Sequence, residues 1–208
     1  SFVAIQAYNQ NLFVPESYLG IKLGGNLSRI DAKPTIPQEL NFGFTGGITY
    51  KYISQKSLGI QLEINYMQVG WTESLDSPNS YSRRLDYIQI PFMTHVNTGK
   101  RKTKFVFNLG PYISFLVSEK EFPDLTDEAE EQDYYYESID NNVEFGVCFG
   151  IGISQHTSIG LFQLEARVNQ SLTNIFTSGF DSMFEYSRSQ SVEVTLCYML
   201  DFKSMKTK

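Results

Sequence analysis

The sequence predicts an all-β fold, a single antiparallel up-and-down transmembrane β-barrel of eight strands with short periplasmic turns and long extracellular loops. Apolar and polar residues alternate with a period of two along most of the chain. The connections between these segments are short and long in turn, and the apolar faces carry no formal charge. The length of 208 residues suits one domain, and the aromatic fraction of 14% argues against a disordered chain.

Eight segments carry the alternation, and each reaches the roughly 9–11 residues that a tilted strand needs to cross a bilayer. The sixth segment is the clearest, because Val143, Phe145 and Val147 alternate with Glu144 and Gly146. The strands are predicted near 18–29, 42–54, 58–72, 86–98, 103–118, 142–154, 161–173 and 190–202.

The connections place both termini on one side of the barrel. Short connections are predicted at 55–57, 99–102 and 155–160, and long ones at 30–41, 73–85, 119–141 and 174–189. Short turns are periplasmic in outer-membrane barrels, so we expect a periplasmic segment over 1–16, the barrel over 17–202 and a periplasmic tail over 203–208. We also expect that a signal peptide was removed from the chain before it entered the bacterial outer membrane.

Composition excludes several other classes of protein. The net charge of −6 argues against nucleic-acid binding, which normally uses a basic surplus. The longest stretch without a formal charge, 145–164, contains Gly, Ser, Gln, His and Thr throughout, so it does not predict a spanning helix.

The main alternative fold is a soluble lipocalin-like barrel with its polar face in water. The polar faces carry few charges for a water-exposed surface, and the small residues Gly146, Cys148 and Gly150 suit a crowded lumen. Aromatic residues near strand ends indicate girdles at the membrane interfaces; they are Tyr18, Tyr50, Tyr52, Tyr66, Trp71, Tyr198 and Phe202.

Two prolines fall inside predicted strands, where each removes a donor from the hydrogen-bond ladder. A closed barrel has no free edge for Pro91 or Pro111. We therefore expect a β-bulge at each proline, or strands that extend past the membrane layer.

Several segments resemble the PorT-like outer-membrane β-barrel family of Gram-negative bacteria. The segments are 85–92 (LDYIQIPF), 107–112 (FNLGPY), 20–26 (GIKLGGN) and 58–66 (LGIQLEINY), the last followed by Gly70 and Trp71. The resemblance extends from about 17 to 202, in order and with similar spacing. It implies a small outer-membrane barrel without catalytic activity or cofactor, and some members are associated with type IX secretion. No catalytic or ligand-binding residues come with the family.

Charged residues on the polar faces define the first candidate site, a charge network in the lumen. Opposite charges in a narrow interior should pair, because an unpaired buried charge is costly. The network is either a structural plug or an ion or proton path. Its predicted members are Lys22, Lys51, Glu63, Glu144, Glu165, Arg167 and Glu193.

The long connection at 119–141 is the second candidate site. Eight of the 23 acidic residues lie between 122 and 141, without any Lys or Arg. Tyrosines beside acids suit a protein-binding surface, although a solvated acidic loop is the simpler interpretation, and its spacing is not that of a calcium-binding EF-hand. The predicted partner-binding residues are Asp127, Glu128, Glu130, Glu131, Tyr134, Tyr135 and Tyr136.

No motif indicates catalysis, a metal or a cofactor. His95 and His156 have no Ser and acid in a recognised arrangement, and GxSxG is absent. Cys148 and Cys197 lie on non-adjacent strands, so we expect two free buried thiols.

The sequence therefore predicts a non-enzymatic accessory or structural subunit of a larger outer-membrane complex for secretion, assembly or transport. Its expected partners are outer-membrane lipids, including lipopolysaccharide, and a larger outer-membrane protein. The alternatives are a narrow channel, a small-molecule-binding barrel or a lipid-modifying enzyme.

Overall fold

The chain forms a closed barrel of eight antiparallel strands in a computed structural model that describes residues 13–33, 38–74, 80–99, 102–124, 141–176 and 185–202. Each strand pairs with its neighbours in sequence, and β8 pairs with β1 to close the sheet. The predicted fold class is confirmed. The strands are β1 (Glu16–Lys33), β2 (Gln38–Gln55), β3 (Leu58–Ser74), β4 (Ser80–Thr98), β5 (Thr103–Asp124), β6 (Val143–Thr157), β7 (Gly160–Ser171) and β8 (Tyr186–Asp201).

Six of the eight strands, all except β6 and β7, extend farther toward the long connections than the sequence predicts. β4 begins at Ser80 rather than near 86, and β5 continues to Asp124 rather than ending near 118. The alternation weakens in these extensions because they have no lipid to face, but the backbone ladder continues without it. We call this end of the barrel the loop rim and the end with the short connections the turn rim.

The outer wall is apolar and the lumen is polar through most of the barrel. On β1, the side chains of Ile21 and Leu23 are 55% and 54% exposed, whereas Lys22 between them is fully buried. An apolar wall of this extent is stable in lipid and would aggregate in water. This arrangement excludes the soluble lipocalin-like alternative. Among the described residues, no helix has the length and apolar character needed to cross a membrane.

Two of the aromatic residues predicted for the interfacial girdles lie inside the barrel instead. Trp71 is 1% exposed and Tyr18 is 4% exposed. The prediction was wrong for this pair because position near a strand end does not decide which face a side chain occupies. The others remain at least partly exposed: Tyr50, Tyr52, Tyr66, Tyr198 and Phe202.

The bulges expected at the prolines are absent. Pairing between β3 and β4 keeps one register on both sides of Pro91, and pairing between β5 and β6 runs through Pro111 without a shift. Each proline therefore removes a ladder hydrogen bond without adding a residue to its strand. The irregularities lie elsewhere, between Leu40 and Thr45, between Ile53 and Gln55, and between Asp86 and Tyr87.

Gly47 permits a close approach of β2 and β3. It lies opposite Lys22 on one side and Asn65 on the other. A Cβ atom at this position would lie 2.1 Å from the carbonyl oxygen of Ile64 and 2.6 Å from Oδ1 of Asn65. Only glycine therefore allows the two strands to pair here beside the buried Lys22.

We expect Gly47→Val to destabilise the barrel by about 1–3 kcal/mol, because the new side chain must displace backbone. Urea unfolding in lipid vesicles measures the change. Thr49→Val is the matched control: Thr49 is buried on the same strand, and its hydroxyl has no hydrogen-bond partner. Equal loss of stability in both variants would contradict the role of Gly47.

Candidate functional site in the barrel lumen

The lumen is filled in three layers. A small apolar cluster lies at the turn rim, a charged layer crosses the middle, and an aromatic layer closes the loop rim. Phe13, which precedes β1, packs against the turn-rim cluster. That cluster consists of Tyr18, Ile53, Leu161, Cys197 and Met199.

Arg167 is the centre of the charged layer. Its Nη1 and Nη2 donate to the two carboxylate oxygens of Glu63 at 2.9 and 2.8 Å. Its Nε donates to Oε1 of Glu165 at 2.8 Å, and Nη1 lies 3.3 Å from Oε1 of Glu193. The guanidinium is 1% exposed, so these charge-assisted bonds replace the water that it loses on burial.

Lys22 joins two of the same carboxylates from the opposite direction. Its Nζ lies 3.0 Å from Oε2 of Glu63 and 3.0 Å from Oε1 of Glu193, and all three side chains are fully buried. The network thus connects β1, β3, β7 and β8 across the lumen.

Lys51 supplies the third positive charge of the layer and connects to Glu165 through the side-chain amide of Gln163. It donates to Oε1 of Gln163, and Gln163 donates in turn to Oε2 of Glu165 at 2.6 Å. Three buried cations therefore accompany the three carboxylates of Glu63, Glu165 and Glu193. Neutral side chains satisfy further oxygen atoms; they are Gln61 and Asn65 at Glu63, and Asn108 at Glu165.

Six of the seven predicted network residues meet in this layer, and Glu144 lies apart. Tyr112 donates its hydroxyl to Oε1 of Glu144 at 2.8 Å. Within the described residues, no cation forms a salt bridge with Glu144. The strand alternation predicted that all seven side chains face one lumen. It did not give their heights along the barrel axis, so it did not predict that Glu144 lies apart.

The aromatic layer at the loop rim was not predicted. The guanidinium of Arg83 lies 5.8 Å from the ring centre of Trp71 and 5.5 Å from that of Phe176. It also pairs with Glu119 and Glu121. Following the inward face of β3 beyond Asn65 would have found three of its apolar side chains, which are Met67, Val69 and Trp71. The apolar members are Ile30, Ala32, Met67, Val69, Trp71, Tyr81, Leu85, Tyr87, Ile175 and Phe176.

The histidines and cysteines have structural contacts. Nδ1 of His95 lies 2.7 Å from Oδ1 of Asn108, and Nε2 of His156 lies 2.8 Å from the hydroxyl of Tyr18. Cys148 and Cys197 are free and buried, as predicted. In the part of the chain that the structure describes, no cluster of three or more His, Cys, Asp or Glu residues is arranged to hold a metal ion.

The acidic loop remains a prediction, because its residues lie outside the described parts of the chain. These residues are Asp127, Glu128, Glu130, Glu131, Tyr134, Tyr135 and Tyr136.

The outer wall carries a depression between β5 and β8, which we call the wall groove. Its lining includes Ala166, which pairs with Ile151 on β6 and with Val194 on β8. Its volume is about 450 Å³, and Phe107 and Leu164 are among the large apolar side chains around it. The groove exists because a methyl group stands where neighbouring outward positions carry Leu, Ile or Val.

Comparison with known proteins agrees with this architecture. Residues 9–177 match the family described as "Outer membrane protein beta-barrel domain". The chain belongs to this family. It is therefore an integral protein of the bacterial outer membrane, with its short turns on the periplasmic side as in other such barrels.

Solved structures of other outer-membrane barrels are similar in fold. OprG from Pseudomonas aeruginosa superposes with a TM-score of 0.51 at 8% identity, over 89% of this chain and 93% of that one. The attachment invasion locus protein Ail of Yersinia pestis gives 0.47 at 12% identity, over 89% and 99%. Neisserial surface protein A gives 0.43 at 13% identity, over 89% and 99%. No curated protein matches the chain.

We expect Arg167→Ala to destabilise this outer-membrane barrel by about 3–5 kcal/mol, because Glu63 and Glu165 would keep their buried charges without their main partner. Urea unfolding of the protein in lipid vesicles measures the difference. Lys33→Ala is the control, since Lys33 pairs with Glu185 at the surface, where both side chains are more than half exposed, and its loss should change little. Similar effects of the two substitutions would contradict the structural role of the network.

Proposed function

We propose that this protein is a non-enzymatic accessory or structural subunit of a larger outer-membrane protein complex for secretion, assembly or transport. The observation that carries the proposal is the contrast between a filled lumen and a recessed outer wall. A barrel whose interior is occupied by its own side chains offers its wall and its rims to partners.

The filled lumen argues against the channel and small-molecule alternatives. Arg167 and Lys22 bridge the lumen in the charged layer, and Trp71 with Arg83 occupies it nearer the loop rim. A solute would have to separate several buried ion pairs to pass, and eight-stranded barrels have little interior beyond what side chains fill.

The wall groove is the proposed docking site for a larger barrel. Small residues let two transmembrane surfaces approach closely, and van der Waals packing drives association where lipid removes the hydrophobic effect. A volume of about 450 Å³ around Ala166 accommodates one or two large apolar side chains of the partner's lipid-facing wall.

The resemblance of segments 85–92 and 107–112 to the PorT-like family makes type IX secretion machinery the first assembly to test. Lipopolysaccharide is a further proposed partner, because outward-facing basic residues surround the loop rim. The most exposed of them are Arg29, Lys33, Lys120 and Arg188, and their charges suit lipid phosphates.

We expect Ala166→Trp to abolish recovery of the partner from native outer membranes, because the indole fills the groove that the partner would occupy. The measurement is affinity purification of the tagged protein in mild detergent, followed by mass spectrometry. Ile64→Trp is the matched control, since Ile64 is 53% exposed on β3 at the opposite wall. Undiminished recovery with Ala166→Trp would exclude the groove, and recovery of the bare barrel from wild-type membranes would exclude the accessory role itself.

We expect the wild-type protein to give no single-channel conductance steps in planar bilayers, because the charged and aromatic layers close the lumen. A known porin in the same bilayers shows that the assay detects open barrels. Reproducible steps that change with Glu63→Ala or Arg167→Ala would instead support the channel alternative.

A further inference from the structure

A small chamber separates the charged layer from the aromatic layer. Gln89, Tyr112, Glu144 and Asn169 line the chamber on the side of the charged layer. Met67 and Tyr87 line it on the side of the aromatic layer. The free volume is about 10 Å³, which is room for a single water-sized occupant.

Three oxygen atoms of the chamber lining have no hydrogen-bond partner. They are Oε1 of Gln89, Oε2 of Glu144 and Oδ1 of Asn169. The three residues are 3%, 7% and 3% exposed, so solvent outside the barrel does not satisfy these atoms. Nδ2 of Asn169 donates to Oγ of Ser191 at 3.2 Å, which leaves the amide oxygen as the free end of that side chain.

The charge of Glu144 is also uncompensated within the described residues. Lys22 and Arg167 pair with Glu63 and Glu193 in the charged layer, and Arg83 pairs with Glu119 at the loop rim. Tyr112 and Ser171 supply hydrogen bonds to the carboxyl group of Glu144 but no positive charge. A buried carboxylate with only neutral donors requires a positive partner or loses its own charge.

We propose that the chamber binds one small, hard, monovalent cation of the size of Na⁺, held by Gln89, Glu144 and Asn169. Carboxylate and amide oxygens are the donors that hard cations prefer. While Glu144 is ionised, one water molecule with two protons leaves one of the three oxygen atoms without a donor. One carboxylate balances one positive charge, whereas Ca²⁺ takes six to eight oxygen ligands and usually several carboxylates. The hydroxyl groups of Ser114, Ser189 and Ser191 also line the chamber and can complete the coordination.

The sequence does not indicate this site because recognised metal-binding motifs consist of clustered acids, His and Cys. Here one acid on β6 meets amides from β4 and β7. The site therefore depends on barrel closure, and it is independent of any partner protein.

Equilibrium dialysis of the full chain in nanodiscs against radioactive sodium, with choline as the background cation, tests the proposal. We expect about one sodium ion retained per folded chain. Glu144→Gln and Gln89→Leu should each weaken retention about tenfold or more, since loss of even an outer-shell partner costs a metal site about that much affinity. Thr49→Val is the matched control, because it removes an unpartnered buried hydroxyl from another part of the lumen and should retain sodium as the wild type does.

Wild-type protein that retains no more sodium than the unfolded chain would overturn the proposal, and this measurement does not require any variant to fold. Retention unchanged by both Glu144→Gln and Gln89→Leu would also overturn it. Displacement of sodium by an equal concentration of calcium would overturn the assignment of a monovalent cation.

Discussion

A guanidinium buried among three carboxylates is the constraint on which this barrel depends. Arg167 contacts Glu63, Glu165 and Glu193, and Lys22 joins two of them from β1. A slip of one residue in the register of any of these strands would turn a charge toward lipid. The network therefore stabilises one register and the closure of β8 on β1 together.

The same network determines where function can reside. Because the charged layer occupies the lumen, the outer wall and the rims are the surfaces that the proposed accessory role uses. The extended strands at the loop rim carry an aromatic layer around Trp71 and Arg83 that closes the barrel a second time. An accessory role in a larger assembly is compatible with both closures, since it uses surfaces that face lipid and solvent.

The charged layer and the aromatic layer do not meet, and for this reason a chamber lies between them. Glu144 lies at the height where polar side chains give way to aromatic ones, and its second carboxylate oxygen is buried without a hydrogen-bond partner. A small cation satisfies the oxygen atoms there and gives the interior a charge balance that the protein's own side chains do not complete.

The sequence by itself determined the strand number, the alternation of short and long connections, and the assignment of Lys22, Glu63 and Arg167 to one interior face. Period-two alternation fixes these features locally, because successive side chains of a strand point to opposite faces. Only the tertiary structure decided the height at which each side chain lies, and hence that Glu144 is separate and that Ala166 lines a groove. The height of a side chain along the barrel axis depends on the stagger between strands. This stagger arises when the sheet closes, so the sequence of a single strand does not determine it.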